Sequence, residues 1–390
     1  MRRTFDTGNA AITEGAILAG CRVFAGYPIT PATEIAENMS RRLPQVGGTY
    51  VQAEDECAAL HVCNGAALGG LKAMTATSGP GFILLSDPFG WAISAEIPVV
   101  IVDAQRVGPV SGITGAPGQG EFYLSRYLAH GGNYETIVLA PSSVQEAFRL
   151  TVRAFELAER FRTPVTLLAD QMVTDGWEGL ELPETAEEAR AMGLRVVERR
   201  AHPGPDFYPA TDAIDVPPVV LGRGTGAACS DWTPDERGLD TEAVEAQHRH
   251  AHRLIHKIRS HRELIAEHEA LALDDSPDLI LVAYGTPARV MKSAVAAARA
   301  RGLRVGGLRL VSLWPFPDAL FSRPARYLTV ELNWDGQLVR EVRRAAGAGA
   351  KVHFLGRCGE LPSVTEIVEA AELLLGGGTL RRRGWDAEAW

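Results

Sequence analysis

The sequence predicts an α/β protein, with a doubly wound parallel sheet over residues 1–180 and a smaller α/β domain over 276–376. Three observations predict it. Short apolar strands alternate with helices through six successive units before residue 180. The run Pro98-Val99-Val100-Ile101-Val102-Asp103 is apolar on both faces, as in a parallel strand buried between two helix layers. Tight turns, hydroxyls and an acidic cluster recur at successive strand ends, where open α/β sheets place their ligands.

Taken in order, Asn9 to Ala19 reads as a helix with Asn9 as its cap. Val23-Phe24-Ala25 is a short apolar strand, and Pro31 is expected to open the next helix, since the first turn favours proline. Thr49-Tyr50-Val51-Gln52 is strand-like. Asp55 to Leu68 is alanine-rich and helical, ending at Gly69-Gly70. Ala73 to Thr77 reads as a strand, Gly81 to Ile93 as a helix, and Pro98 to Asp103 as the central strand. Thr136 to Leu139 and Val165 to Ala169 are two more strands, bracketing an amphipathic helix from Ser142 to Arg160. Gln105 to Gln119 breaks the rhythm with Gly108, Pro109, Gly112, Gly115, Pro117 and Gly118, and reads as a long functional loop.

Residues 181–275 read as a proline-rich connector followed by a charged helix carrying His248, His250 and His252. At that spacing the three imidazoles point to different faces of a helix, so a solvated face is expected rather than a metal tract. The second domain has expected strands at Ile280 to Ala283, Val305 to Leu310, Tyr327 to Glu331 and Val352 to Leu355. Residues 377–390 read as a frayed tail.

Composition narrows the function. The chain has 390 residues, 46% hydrophobic and 22% charged, enough for two cores. A formal net charge of −9 argues against nucleic acid or an anionic membrane as partner. No apolar run reaches the roughly 18 residues that span a bilayer. Met1-Arg2-Arg3-Thr4-Phe5-Asp6 leads into no apolar stretch, so a cytoplasmic location is expected. Cys21, Cys57, Cys63, Cys229 and Cys358 form no C-x-x-C pair, so no metal or cluster site is expected in this chain.

The residues that can carry chemistry sit at strand ends. Glu54-Asp55-Glu56 heads the alanine-rich helix, where any of the three acids is favoured by the dipole. A buried member of the set could exchange a hydrogen bond with a ring nitrogen. Thr30, in Tyr27-Pro28-Ile29-Thr30-Pro31, offers a hydroxyl either to a ligand or as a helix cap. Arg106 presents a planar guanidinium suited to a carboxylate or phosphate. Gly79-Pro80-Gly81 reads as a tight turn allowing close approach. There is no G-x-x-x-x-G-K-[ST] phosphate loop, no G-x-G-x-x-G after the first strand, and no Gly-Asp-Gly segment followed by asparagine.

These residues resemble the alpha subunit of the 2-oxoacid:ferredoxin oxidoreductases, closest to the 2-oxoglutarate type. The resemblance rests on Phe24 to Pro31, Glu54-Asp55-Glu56, Lys72 to Gly81, Gln105-Arg106, Ser143 to Ala147 and Leu313-Trp314-Pro315-Phe316-Pro317, and covers nearly the whole chain. It implies a pyrimidine-binding domain for thiamine diphosphate, followed by a domain like the transketolase C-terminal domain. Glu56 matches the glutamate that hydrogen-bonds the aminopyrimidine ring. Thr30 and Arg106 match the positions that take the carboxylate of the 2-oxoacid. Tyr27, Pro28, Gly79, Pro80 and Gly81 fall around the cofactor. A beta subunit would bring Mg²⁺ and a 4Fe–4S cluster, in a dimer of αβ heterodimers that uses coenzyme A and ferredoxin. After Arg106 the chain departs from the common pattern, reading Val107-Gly108-Pro109-Val110-Ser111-Gly112-Ile113 and then Gln119-Gly120-Glu121. Pyruvate, a branched-chain or an aryl 2-oxoacid is therefore the alternative substrate, and a non-catalytic scaffold the alternative role.

Overall fold

The computed structural model describes all residues except 202–211, 223–228, 237, 324 and 381–390. The chain begins with β1 (Arg2–Thr7), β2 (Cys21–Gly26), β3 (Thr49–Gln52), β4 (Lys72–Thr77), β5 (Val100–Val107) and β6 (Ile113–Pro117). It continues with β7 (Ile137–Leu139), β8 (Val165–Asp170) and β9 (Trp177–Leu182). The later strands are β10 (His268–Leu271), β11 (Leu279–Ala283), β12 (Val305–Leu310), β13 (Ser312–Trp314), β14 (Arg326–Glu331) and β15 (Lys351–Gly356).

The first sheet runs β13-β7-β8-β5-β4-β2-β3, with β6 attached to β5. Its β2, β3, β4, β5, β7 and β8 pair in parallel. Alternation along each strand sends side chains to both faces. Val100, Val102 and Ala104 pack with the helices Gly8–Leu18 and Val144–Phe161, while Val99 and Ile101 pack with Glu56–Leu68 and Ser86–Ser94. The sheet is doubly wound, as its two-sided apolar strands require.

The second sheet runs β10-β12-β11-β14-β15, parallel except for the antiparallel edge strand β10. Leu279, Leu281 and Ala283 face the helices Gly285–Ala300 and Val364–Leu375. Ile280 and Val282 face the opposite way, into a core shared with Phe122, Val138, Ala140 and Leu168 of the first unit. Strand β13, between the second sheet's β12 and β14 in sequence, pairs antiparallel with β7 and closes the edge of the first sheet. Gln119 ties the units by hydrogen bonds, its amide N–H donating to Leu332 O at 2.8 Å and its Nε2 to Tyr284 O at 3.1 Å.

Several local expectations need correction. The first helix is capped by Thr7, whose hydroxyl accepts from the Ala10 N–H at 3.1 Å, and not by Asn9. Asn9 is fully buried and donates from Nδ2 to Pro31 O at 3.0 Å, a long-range contact invisible to a local rule. Pro31 does not open the following helix, which starts at Thr33 with no side-chain cap. The expected helix Gly81 to Ile93 is two, Gly79–Leu84 and Ser86–Ser94. The strand expected to end at Asp103 runs to Val107, and the supposed loop after it folds back as β6. Strands β1 and β9, unforeseen, pair as a two-stranded antiparallel ribbon. The tail from 381 on lies outside the described residues. Among the described residues no helix is long and apolar enough to cross a membrane.

Candidate functional site

The carboxyl ends of β3, β2, β4 and β5 lie side by side, and the segments that follow them converge on one crevice. Glu56 enters it from the first turn of the helix Glu56–Leu68. Asp55 is the cap, its Oδ1 accepting from the Ala58 N–H at 2.7 Å, and it lies exposed with Glu54. Glu56 is only 4% exposed. The Thr77 hydroxyl, at the end of β4, donates to Glu56 Oε1 at 3.4 Å. Of the three acids that local physics left equal, the fold buries one.

The turn after β4 is shaped around that carboxylate. A Cβ on Gly81 would stand 2.1 Å from Glu56 Oε1 and 2.3 Å from Thr77 Oγ1, so any side chain there displaces the acid. A Cβ on Gly79 would stand 2.9 Å from Glu121 Oε1. Pro80 occupies the first turn of the helix Gly79–Leu84, where its missing N–H costs nothing. Ser78, at the cap position, has a buried hydroxyl with no partner.

Arg106 sits on β5, 6% exposed, and its Nη1 donates to the carbonyl oxygen of Thr30 at 2.7 Å. Its Nε is buried and unpartnered. Thr30 is exposed at the end of the segment leaving β2, so it is not a helix cap. Tyr27 and Pro28 lie exposed on the same segment. Thr30 and Arg106 are thus brought together, with an orphaned guanidinium nitrogen beside them.

Sequence reasoning missed a buried carboxyl pair below this crevice. Asp103 is completely buried in mid-strand, and no side chain hydrogen-bonds either of its oxygens. Two residues on, and therefore on the same face, Gln105 donates from Nε2 to Glu121 Oε2 at 2.9 Å. Burial pushes the Asp103 carboxyl far above the usual range, and the neighbouring Glu121 pushes it further. Burial raises the Glu121 carboxyl as well, partly offset by the Gln105 hydrogen bond and the Arg106 charge. Both carboxyls therefore take up a proton more readily than exposed acids do. The available signal was Asp103, an aspartate closing an otherwise apolar run.

Buried polar atoms without partners (Arg106 Nε and Ser78 Oγ) and two glycines with no room for a Cβ mark a cradle for a polar ligand. A carboxyl such as Glu56, held by one hydroxyl, can still engage a ring nitrogen. The residues fit an aminopyrimidine cofactor at the edge of a doubly wound sheet. The family model "Pyruvate flavodoxin/ferredoxin oxidoreductase, thiamine diP-bdg" matches residues 14–249, and "Pyruvate:ferredoxin oxidoreductase core domain II" matches 277–367. With the first of these matches, fold and crevice define the class, a thiamine-diphosphate-binding α/β protein. The chain belongs to the pyruvate flavodoxin/ferredoxin oxidoreductase family.

Two relatives illustrate its range. The chain is 41% identical over 361 residues to 2-oxoglutarate synthase subunit KorA of Methanocaldococcus jannaschii, covering 92% of this chain and 96% of that one. It is 37% identical over 358 residues to ketoisovalerate oxidoreductase subunit VorB of Methanothermobacter thermautotrophicus, covering 90% and 92%. Among solved structures, 2-oxoglutarate:ferredoxin oxidoreductase from Magnetococcus marinus superposes with a TM-score of 0.87 at 28% identity. That match covers 95% of this chain and spans 65% of the length of the other. A split-gene transketolase matches in fold alone, with a TM-score of 0.52 at 12% identity.

Proposed function

We propose that this chain is the alpha subunit of a thiamine-diphosphate-dependent 2-oxoglutarate:ferredoxin oxidoreductase. With coenzyme A the complex converts 2-oxoglutarate to succinyl-CoA, CO2 and reduced ferredoxin, or runs the reverse. The observation that carries the reading is Glu56, buried against Thr77 and Gly81 at the ends of β3 and β4. The choice of acid rests on the relatives named for 2-oxoglutarate at 41% identity. The 37% and 38% matches to ketoisovalerate enzymes make a branched-chain acid the second reading.

Residues 1–180 serve in this proposal as the pyrimidine-binding domain, 181–275 as connector and 276–376 as the transketolase C-terminal-like domain. Thiamine diphosphate supplies a nucleophilic carbon and an electron sink for decarboxylation. Glu56 hydrogen-bonds the pyrimidine ring nitrogen and exchanges a proton there. Gly79, Pro80 and Gly81 form the tight turn that lets Glu56 stand close to the ring, and Tyr27 and Pro28 line the entrance. Arg106, its Nε unpartnered, binds the 2-oxoacid carboxylate with Thr30 beside it. The Mg²⁺-diphosphate and the 4Fe–4S cluster belong to a beta subunit. Burial pushes the thiols of Cys21 and Cys63 up to about 12, which disfavours the thiolates a cluster needs. Assembly as a dimer of αβ heterodimers in the cytoplasm completes the proposal.

The test is anaerobic reduction of a viologen dye by the co-expressed assembly, supplied with cofactor, Mg²⁺, coenzyme A and a panel of 2-oxoacids. Preference for 2-oxoglutarate supports the reading; preference for 2-oxoisovalerate transfers it to the second, and no turnover from a cofactor-loaded complex leaves a scaffold. Two variants sharpen it. Gly81→Ala forces a Cβ into Glu56 and Thr77 and is expected to lower turnover about 100-fold, with a modest fall in melting temperature from the overpacked site. Arg106→Lys removes the planar fork and is expected to raise KM for the 2-oxoacid about tenfold or more, with kcat less affected. An unchanged KM would take Arg106 out of substrate binding.

A further inference from the structure

The helix Val244–Arg259 carries the histidines that the sequence reading assigned to a solvated face. The structure separates them. His250 is buried, its Nε2 3.1 Å from Ser94 Oγ and its Nδ1 2.9 Å from Arg253 Nη2, and burial brings it down to about 4. It serves packing. His252 and His256, one turn apart, share the opposite, exposed face, their rings stacked at 4.8 Å with an interplanar angle of 19°.

Both imidazoles turn Nδ1 toward one carboxylate oxygen. Asp212 Oδ2 lies 3.0 Å from His256 Nδ1 and 3.9 Å from His252 Nδ1. Asp212 comes from the connector, 44 residues before His256. Donor atoms of all three side chains lie within 4.8 Å of one another. Stacked imidazoles at i and i+4 converging on a carboxylate form the borderline nitrogen and oxygen set that suits Zn²⁺, Ni²⁺ or Cu²⁺. Ligand bonds of about 2.0–2.2 Å require only small rotations of side chains that are 65%, 51% and 40% exposed.

We infer that Asp212, His252 and His256 bind one divalent transition-metal ion and thereby clip the connector to the helix Val244–Arg259. Three protein donors leave at least one position to water, so the ion is exchangeable. The site lies outside the crevice built by Thr30, Glu56 and Arg106, so its test is independent of the assigned reaction. A metal bound only to the native arrangement also stabilises it by mass action.

The experiment is calorimetric titration of the full-length chain, made without a histidine tag and stripped with chelator, using ZnCl2 and NiCl2. One ion per chain at micromolar Kd is expected, with a rise in melting temperature and slower protease cleavage of the connector. His252→Ala and His256→Ala should each weaken binding about tenfold or more, and Asp212→Asn should weaken it while the chain stays folded. His248→Ala is the control that leaves binding intact. Absence of saturable binding up to about 1 mM metal overturns the inference. So does binding that survives the double His252→Ala, His256→Ala substitution.

Discussion

Replacing Glu56 by glutamine is expected to lower turnover of the assembled enzyme by about 10²–10⁴-fold while leaving assembly intact. The change preserves size and shape in a site where Glu56 is 4% exposed and touches Thr77 Oγ1 and the space above Gly81. The helix does not depend on it, because Asp55 supplies the cap. In the proposed role, what is lost is a titratable group for the cofactor's ring nitrogen, since an amide cannot exchange that proton. Dye reduction, gel filtration of the complex and thermal melting, measured on the same preparation, check it. Activity within a factor of about two of the parent would remove Glu56 from the mechanism.

The largest expected effect on stability comes from Glu96, just after the helix Ser86–Ser94. Its carboxylate is buried, accepts hydrogen bonds from Lys257 Nζ and from Arg162 Nη2 at 3.4 Å, and lies 3.6 Å from Arg253 Nε. Burial alone would raise its pKa, but the charges of Lys257, Arg162 and Arg253 outweigh this and bring it to about 2. Burial in turn lowers Lys257 to about 8, against the pull of Glu96. Glu96→Gln leaves three cations crowded in a dry site and is expected to cost about 3–5 kcal/mol. The helix Val244–Arg259, which supplies Lys257 and Arg253, should lose protection from hydrogen exchange first.

The sign with pH follows from the depressed carboxyl. The unfolded chain takes up this proton near the usual carboxylate value, and the folded chain only near pH 2. The stabilisation is therefore fully present above about pH 4.5 and lost as pH falls toward about 2. Urea unfolding of parent and variant across that window should show the two curves converging at the acid end. A loss under about 1 kcal/mol at neutral pH would mean the network behaves like a surface ion pair.

Much of the architecture was legible because it is written in consecutive residues. Strand Thr49–Gln52 has the expected bounds, and β2, β4 and β8 differ from expectation by a residue or two, since short apolar or β-branched runs bounded by turn residues mark them. Strand β5 was cut short because Asp103, Gln105 and Arg106 look like a polar exit, although all three are buried. The Gly- and Pro-rich stretch after it hid β6, whose pairing with β5 supplies order that no periodicity announces. Among the histidines, attention went to positions 248, 250 and 252, whereas the clustering pair is 252 and 256 with a distant aspartate.

The sequence by itself determined the alternation of strands and helices and the turns and acids at strand ends. These follow from backbone propensity and side-chain period, which act over a few residues. Only the tertiary structure decided which of Glu54, Asp55 and Glu56 is buried, that Arg106 meets Thr30, and that Asp103 lies beside Glu121. It alone sent β13 back onto the first sheet. Those outcomes depend on segments tens to hundreds of residues apart competing for the same buried space, and the cost of removing a charge from water is set only when they meet.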